Sequence, residues 1–310
     1  MALASNVQAA ITLIKRDVNQ TVLSQVEFIT SEFQQSTKPV KLYIPNEAAD
    51  DPAVQHLADG GWSKYTSIVF LTHWQQSMYN LFLGVPYSAG IVMPTAIDAV
   101  AKSPKPSTGV NLLFVGDPRN GLDIAFSAFK QLSPRNPDVL LYVFTDFGVY
   151  GDLKNKSNKL YAKFSTEVRS HPKVIFYSNE TDYLGLTGHV PVFDMCHILL
   201  FPNIHPAAPH TPLLECMSAE MLCIHSSYGS FPEISRGLTS MYGYSEDKEI
   251  HLDTFHQELS NAIALYGKVG PRRSIAMRLA HDKAFIDDSY SCKSRSIQWT
   301  DFLLNLLTNQ

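Results

Sequence analysis

Three short stretches and one histidine carry residue types that could do chemistry. GDPRNGLDIAF, residues 116–126, sets Gly116, Arg119, Asn120 and Gly121 where an apolar run gives way to a helical pattern. Glycines allow a tight turn, the amides of a helix start attract anions, and a guanidinium fork fits phosphate. The same loop also reads as a solvent turn with a surface arginine. YSNETDYL, residues 177–184, follows another apolar run. Asn179 and Glu180 there suit contacts to a base or a ribose, and Asn179 or Thr181 equally suits helix capping. TPLLECMSAEMLCIHSSYGSFPEI, residues 211–234, places one carboxylate, Glu215, near the start of an apolar helix, before a small-residue strand and a glycine turn. A buried glutamate is costly unless paired. One near a helix N-terminus is favoured by the dipole and can accept hydrogen bonds from a ligand's hydroxyls. His73 closes TSIVFLTH, where it either faces a cleft or sits at a helix start as a surface group.

The elements that must position these residues alternate. In the first third AITLIKR reads as a strand, TVLSQVEFITSEFQQ as a helix, PVKLYIP as a strand and DPAVQHLADGG as a short helix. TSIVFLT, WQQSMYNLFLG and AGIVMP continue as strand, helix, strand, with glycine at helix ends. DAVAKSPKPSTGVN, residues 98–111, has the composition of a linker. The alternation then restarts with NLLFVGD, VLLYVFTDF, KVIFYSN, HILLFPN and LCIHSS as strands and helices between them. TDYLGLTGHVPVFD reads as a loop with a helix. The tail from TFHQELSNAIALYG onward reads as helical. Continuous apolar strands separated by helices imply parallel sheets covered on both faces. Two such sheets joined by a linker give an α/β protein with two Rossmann-like halves, which bind ligands beyond the carboxyl ends of their strands, in a cleft that the sheets face.

The chain has 310 residues, 45% of them hydrophobic, and a formal charge of −4. That size supports two domains, and the charge gives no general pull toward nucleic acid or anionic membrane. No run of about 20 apolar residues exists, so no membrane span is expected. MALASNVQAAITLIKRD lacks the pattern of a signal peptide, so a cytoplasmic protein is expected, including a viral protein in a host cytoplasm. Cys196, Cys216, Cys223 and Cys292 form no CxxC pair and read as buried free thiols. A metal site could be drawn from His197, His205, His210 and His225 with Cys196 or Cys216, but the spacing fits no zinc pattern, and no metal is expected.

The segment LLECMSAEMLCIHSSYGSFPEI resembles the signature of family-4 glycosyltransferases, retaining enzymes of the GT-B architecture. It matches the motif's second Glu at Glu215, its Met-small pair at Met217 and Ser218, and the closing Gly229, Pro232 and Glu233. FVGDPRNGLDIAFSAFKQL resembles the family's phosphate loop and following helix, VFDMCHILLFPN the strand before the donor pocket, and SYSCKSRSIQWTDFLL the closing helices. The resemblance covers about residues 62–310.

It implies a reduced acceptor-side domain at residues 1–100, a nucleotide-sugar domain at 101–290, and a helix at 291–310 packing back toward the first. The implied activity is metal-independent transfer, with retention, of a hexosyl or pentosyl group from a UDP- or GDP-sugar to a glycan or other hydroxyl acceptor. The implied catalytic residues are Arg119 and Glu215; His73 matches no histidine of the family pattern and joins them as a catalytic candidate from its place at a strand end. The implied donor contacts are Gly116, Asn120, Gly121, Asn179, Glu180, Thr211, Pro212 and Leu214. Glu215 would bind the ribose hydroxyls. Two positions depart from the pattern: the first motif Glu is Ala207, and Asn120 stands where a basic residue is usual, with Arg119 one position earlier. His205 or His210 could reach the place of the missing Glu. Those departures leave open a non-catalytic nucleotide- or glycan-binding protein. The compact size leaves open a DNA base-modifying glycosyltransferase, for which Lys102, Lys105, Arg272, Arg273 and Arg278 are the candidate phosphate contacts.

Overall fold

A computed structural model describes residues 11–12, 14–16, 18–30, 37–150, 159–178, 192–206 and 211–308. The chain divides into two compact units. One takes most of the stretch from Ala99 to Ile286. The other gathers the chain up to Asp98 and from Asp287 onward.

The second of these is built on a four-stranded parallel sheet in the order β1 (Val26–Ile29), β2 (Val40–Tyr43), β3 (Ser67–Phe70), β4 (Gly90–Val92). Its first strand lies elsewhere than the sequence predicts. Residues 11–16, expected as a strand, are helical where described, and α1 (Gln20–Leu23) follows. Strand β1 falls inside the stretch expected as a helix. Ile11, Ile14, Val18 and Val22 are all buried, which is one face of a 3.6-residue period. Asn19 caps α1 by accepting from the Thr21 amide at 2.7 Å. Strand β3 is buried along its whole length. Helix α2 (His73–Leu83) then starts on the cap Thr72, whose side chain accepts from the Gln75 amide, and ends on Gly84 at φ 66°. Trp299 and Leu303 of the last helix, Cys292–Thr308, are buried in one cluster with Val40, Leu42 and Val69.

The other unit holds six parallel strands: β5 (Val110–Val115), β6 (Val139–Phe144), β7 (Val174–Tyr177), β8 (Ile198–Phe201), β9 (Leu222–Ser226) and β10 (Ser240–Tyr242). Their spatial order is β10-β9-β8-β5-β6-β7. The chain winds outward from β5 in one direction, returns to β8 beside it, and winds outward in the other. That is the doubly wound order of a Rossmann fold, with its reversal between β5 and β8. Strand β10 lies in LTSMYGYS, which has no apolar alternation. Helices α3 (Leu122–Leu132), α4 (Lys159–Ser170), α5 (Val192–Met195), α6 (Thr211–Ser218), α7 (Phe231–Ser235), α8 (Lys248–Tyr266) and α9 (Val269–Ser289) complete the unit, and Cys292–Thr308 is α10. Helix α3 buries Leu122, Ala125, Phe126, Phe129 and Leu132 in the main core. Each large apolar side chain among them contributes about 1.5–3 kcal/mol relative to exposure. The fold class is the one the sequence predicts: two Rossmann-like halves with parallel sheets.

Candidate functional site

The reversal between β5 and β8 directs attention to the loops at their carboxyl ends. After β5, the Gly116 amide donates to the Phe144 carbonyl at 3.1 Å, and the Gly116 carbonyl accepts from the buried Thr145 hydroxyl at 2.6 Å. Gly116 has φ 124°, a region open to glycine. The chain then turns on Asp117, whose Oδ1 accepts from the Arg119 amide at 2.8 Å. The Arg119 guanidinium lies on the same carboxylate, with Nε 3.0 Å from both oxygens and an Nη 2.5 Å from Oδ2. About half of the Arg119 side chain is exposed. The cation is therefore present at the predicted place, held by a carboxylate two residues upstream.

Asn120 is buried, and its side chain reaches the loop after β8. Its Oδ1 accepts from the amides of Ile204 at 3.0 Å and His205 at 3.3 Å, in the loop after β8. Gly121, at φ 93°, lies so close to that loop that a Cβ would come 2.2 Å from the Pro202 carbonyl oxygen. The two loops are thus joined across the switch point. At the start of α3, the Leu122 amide reaches the Pro118 carbonyl at 3.3 Å and the Ile124 amide the Asp123 carboxylate at 3.0 Å. Asp123 also takes the Lys248 ammonium. This first turn carries its own acid, which reduces what it can offer an anion.

Helix α6 follows the β8 loop and begins at Thr211. Pro212 and Leu214 are buried, so only their backbone is available to a ligand. Glu215 is half-buried. It stands fifth in the helix, in the second turn, and no acidic residue occupies the first. The first-turn dipole argument therefore does not hold for it, because that effect fades within one turn. Met217 and Ser218, two residues that carried the resemblance, are buried. The Ser218 hydroxyl accepts from the Val100 amide at 2.9 Å. Gly229, at φ 66°, would place a Cβ 2.5 Å from the Pro206 carbonyl oxygen. Pro232 and Glu233 fall in the first turn of α7. His73 is exposed at the first position of α2 in the other unit. Asn179, Glu180, Ala207 and His210 lie outside the described residues.

A buried polar network at this edge leaves almost no trace in the sequence. Asn203, fully buried after β8, accepts from the Ser226 hydroxyl at 2.8 Å and donates to the Tyr228 carbonyl at 3.3 Å. The only signal is a polar residue closing the apolar strand HILLFPN. Tyr228 and Tyr244, after β9 and β10, stack with centroids 4.1 Å apart.

Buried histidines nearby are structural. The Nε2 of His225 meets the Thr239 hydroxyl at 2.7 Å and its Nδ1 the Ser226 carbonyl at 2.8 Å. At His197, Nδ1 accepts from the Asn111 amide at 3.0 Å, which leaves the proton on Nε2 toward the Pro106 carbonyl. Burial lowers both histidines to a pKa of about 4, so both are neutral. Among the described residues, no group of three or more His, Cys, Asp or Glu could hold a metal ion. Among them, too, no helix is long and apolar enough to cross a membrane.

No protein-family profile matches the sequence, and none of the curated proteins compared with it does. Solved structures do match the fold. A glycosyltransferase from Rickettsia africae ESF-5 superposes with TM-score 0.68 at 11% identity, over 97% of this chain and 82% of its own. WaaG, a glycosyltransferase involved in lipopolysaccharide biosynthesis, gives TM-score 0.62 at 12% identity, over 96% and 95%. Anabaena Alr3699/HepE, in complex with UDP and glucose, gives 0.61 at 14% identity, over 85% and 71%. The chain shares the GT-B fold of these enzymes. At such identities the likeness is one of fold.

Proposed function

We propose that the protein transfers a glycosyl group from a nucleotide-diphosphate sugar to a hydroxyl acceptor. The observation that carries this reading is the arrangement at the switch point. The loop bearing Arg119 and the helix bearing Glu215 follow the adjacent strands β5 and β8, in the fold shared with glycosyltransferases, one of them solved with UDP and glucose.

In this reading the bond from the anomeric carbon to the diphosphate breaks, a bond to the acceptor oxygen forms on the same face of the sugar, and the acceptor hydroxyl's proton passes to the departing diphosphate. Negative charge grows on the departing diphosphate. A preorganised cation stabilises that charge most where water is excluded. Arg119 takes this role by exchanging Asp117 for the diphosphate, a trade made cheap because an exposed ion pair contributes only about 0–1 kcal/mol. Glu215 accepts the ribose hydroxyls. The Gly116–Gly121 loop and the backbone at Thr211, Pro212 and Leu214 border the donor, with Asn179 and Glu180 at the base. His73 is the acceptor-side group. The donor is a UDP- or GDP-sugar, and the reaction runs without a metal.

A second reading, a nucleotide or glycan binder without turnover, is favoured by one observation. Asn120, at the position where a basic residue is usual, is spent on the amides of Ile204 and His205.

The test is a thermal-shift screen against UDP-, GDP-, ADP- and CMP-linked sugars, followed by transfer assays with the donor that binds. A ligand present at one hundred times its Kd stabilises the native state by about 2.7 kcal/mol. Stabilisation and turnover, both reduced in Arg119→Ala and Glu215→Ala, support the transferase. Binding without turnover on any acceptor selects the second reading. Unchanged binding and turnover in both variants overturns the site.

A further inference from the structure

The six-stranded unit has a cavity away from the switch point. It lies beside His197, which precedes β8, at the amino-terminal side of the sheet. Its volume is about 450 Å³, within the range of small-molecule sites. One wall is the linker stretch from Lys102 to Ser107 and the other is α9.

The wall carries four cations, Lys102, Lys105, Arg272 and Arg273, against one carboxylate, Glu220. That is a local excess of positive charge on a chain of formal charge −4. Lys102 pairs with Glu220 at 2.8 Å, and its side chain is 66% exposed. Arg272 donates to the Pro106 carbonyl and lies 5.6 Å over the Tyr266 ring. Arg273 is exposed and has no ion pair or hydrogen bond from its side chain among the described residues. Lys105 makes one hydrogen bond, to the Phe193 carbonyl at 2.5 Å, so two of its three N–H donors are unspent.

A second, independent feature lies in the same wall. The Ser103 hydroxyl is buried and has no hydrogen-bond partner among the described residues. A buried polar group left unpaired costs about 1–3 kcal/mol. An acceptor oxygen entering the cavity would satisfy it. Besides Ser107, His197 and Tyr266, the rest of the lining is apolar. It includes Ala276, Leu279 and Met277, and Met277 is 70% exposed. A large exposed apolar side chain beside a cationic recess suits a ligand with two chemically different ends.

We propose that this cavity binds a monophosphate ester with an apolar body. The phosphate sits among Lys102, Lys105, Arg273 and the Ser103 hydroxyl, and the apolar part covers Met277. Phosphate is favoured over a single carboxylate because it offers three acceptor oxygens to donors that converge from the linker and from α9.

The probes are phenyl phosphate and inorganic phosphate, titrated calorimetrically into the full chain. Phenyl phosphate is expected to bind more tightly of the two. Lys102→Gln combined with Arg273→Gln should weaken it at least tenfold. Both side chains are exposed, so the double variant should keep the parent's Tm without ligand, which separates lost binding from lost folding. Met277→Gln should weaken phenyl phosphate and leave inorganic phosphate unchanged. Equal binding by parent and double variant, or no binding of either probe at millimolar concentration, overturns the proposal. Inorganic phosphate binding as tightly as phenyl phosphate overturns the ester.

Discussion

The Oδ1 of Asn120 lies 3.0 Å from the amide nitrogen of Ile204 and accepts its proton, so one side chain ties the loop after β5 to the loop after β8. The same oxygen takes the His205 amide at 3.3 Å. Replacing Asn120 by Ala leaves two amides without that acceptor. Unfolding in urea should show a loss of about 1–3 kcal/mol. Asn120→Arg, which restores the basic residue usual at this position, should be destabilising for the same reason. If Asn120→Arg is as stable as the parent, the tie between the loops contributes little.

Gly121 should not tolerate a side chain. An alanine there meets the Pro202 carbonyl oxygen at 2.2 Å and must hold φ near 93°. The left-handed conformation alone costs on the order of 1–3 kcal/mol, and the clash adds to it. Thermal denaturation of Gly121→Ala is expected to show a lower Tm than that of Gly84→Ala, where a Cβ meets nothing within 4 Å.

Asp117 is expected to restrain Arg119. Asp117→Asn keeps an Oδ1 acceptor for the Arg119 amide and removes the charge that holds the guanidinium. Calorimetry with UDP should show tighter binding in Asp117→Asn. In Arg119→Gln it should show binding weaker by about tenfold for each charge-assisted hydrogen bond to phosphate that the glutamine cannot make. Stability should move by less than about 1 kcal/mol in Arg119→Gln, since the pair is exposed. Weaker UDP binding in Asp117→Asn would show that the carboxylate is needed.

Acid should weaken the six-stranded unit through His197 and His225. Folded, each holds a pKa near 4 because burial disfavours its charge; unfolded, each returns to about 6.5. The unfolded chain therefore binds more protons between those values, and stability falls as pH drops from about 6.5 toward 4. The slope is about 1.4 kcal/mol per pH unit for each histidine. Below about pH 4 this contribution is flat. His225→Gln, measured by urea unfolding at pH 7 and 5, should show a smaller loss on acidification than the parent.

The six-stranded half was legible in the sequence because its strands are continuous apolar runs. LLFV, LLYVF and ILLF can hardly be anything but buried strands between helices. The start of the chain was not. Val22, Val26 and Ile29 are spaced as on a helix, yet β1 begins at Val26. A four-residue strand with only its two ends buried leaves no alternation to read. Strand β10 and its stacked Tyr244 were missed for the same reason. At the candidate site, the sequence singles out Arg119 and Glu215 but not the carboxylate that Arg119 touches. The Asp117 clasp and the Asn120 tie depend on side-chain directions that spacing does not determine. Among the residues that carried the family resemblance, Met217 is buried, and Gly121 and Gly229 sit where a Cβ would meet backbone, so these three are packing requirements.

The four thiols have a practical consequence. Cys216 and Cys223 are buried and held strongly protonated, and burial pushes Cys196 up to about 12 and Cys292 to about 11. Alkylating reagents attack the thiolate, which is scarce at neutral pH in all four. The natural chain is thus a quiet background for maleimide chemistry. One cysteine introduced on the surface would be the sole fast-reacting handle, so a single fluorophore could be attached without first removing any native sulfur.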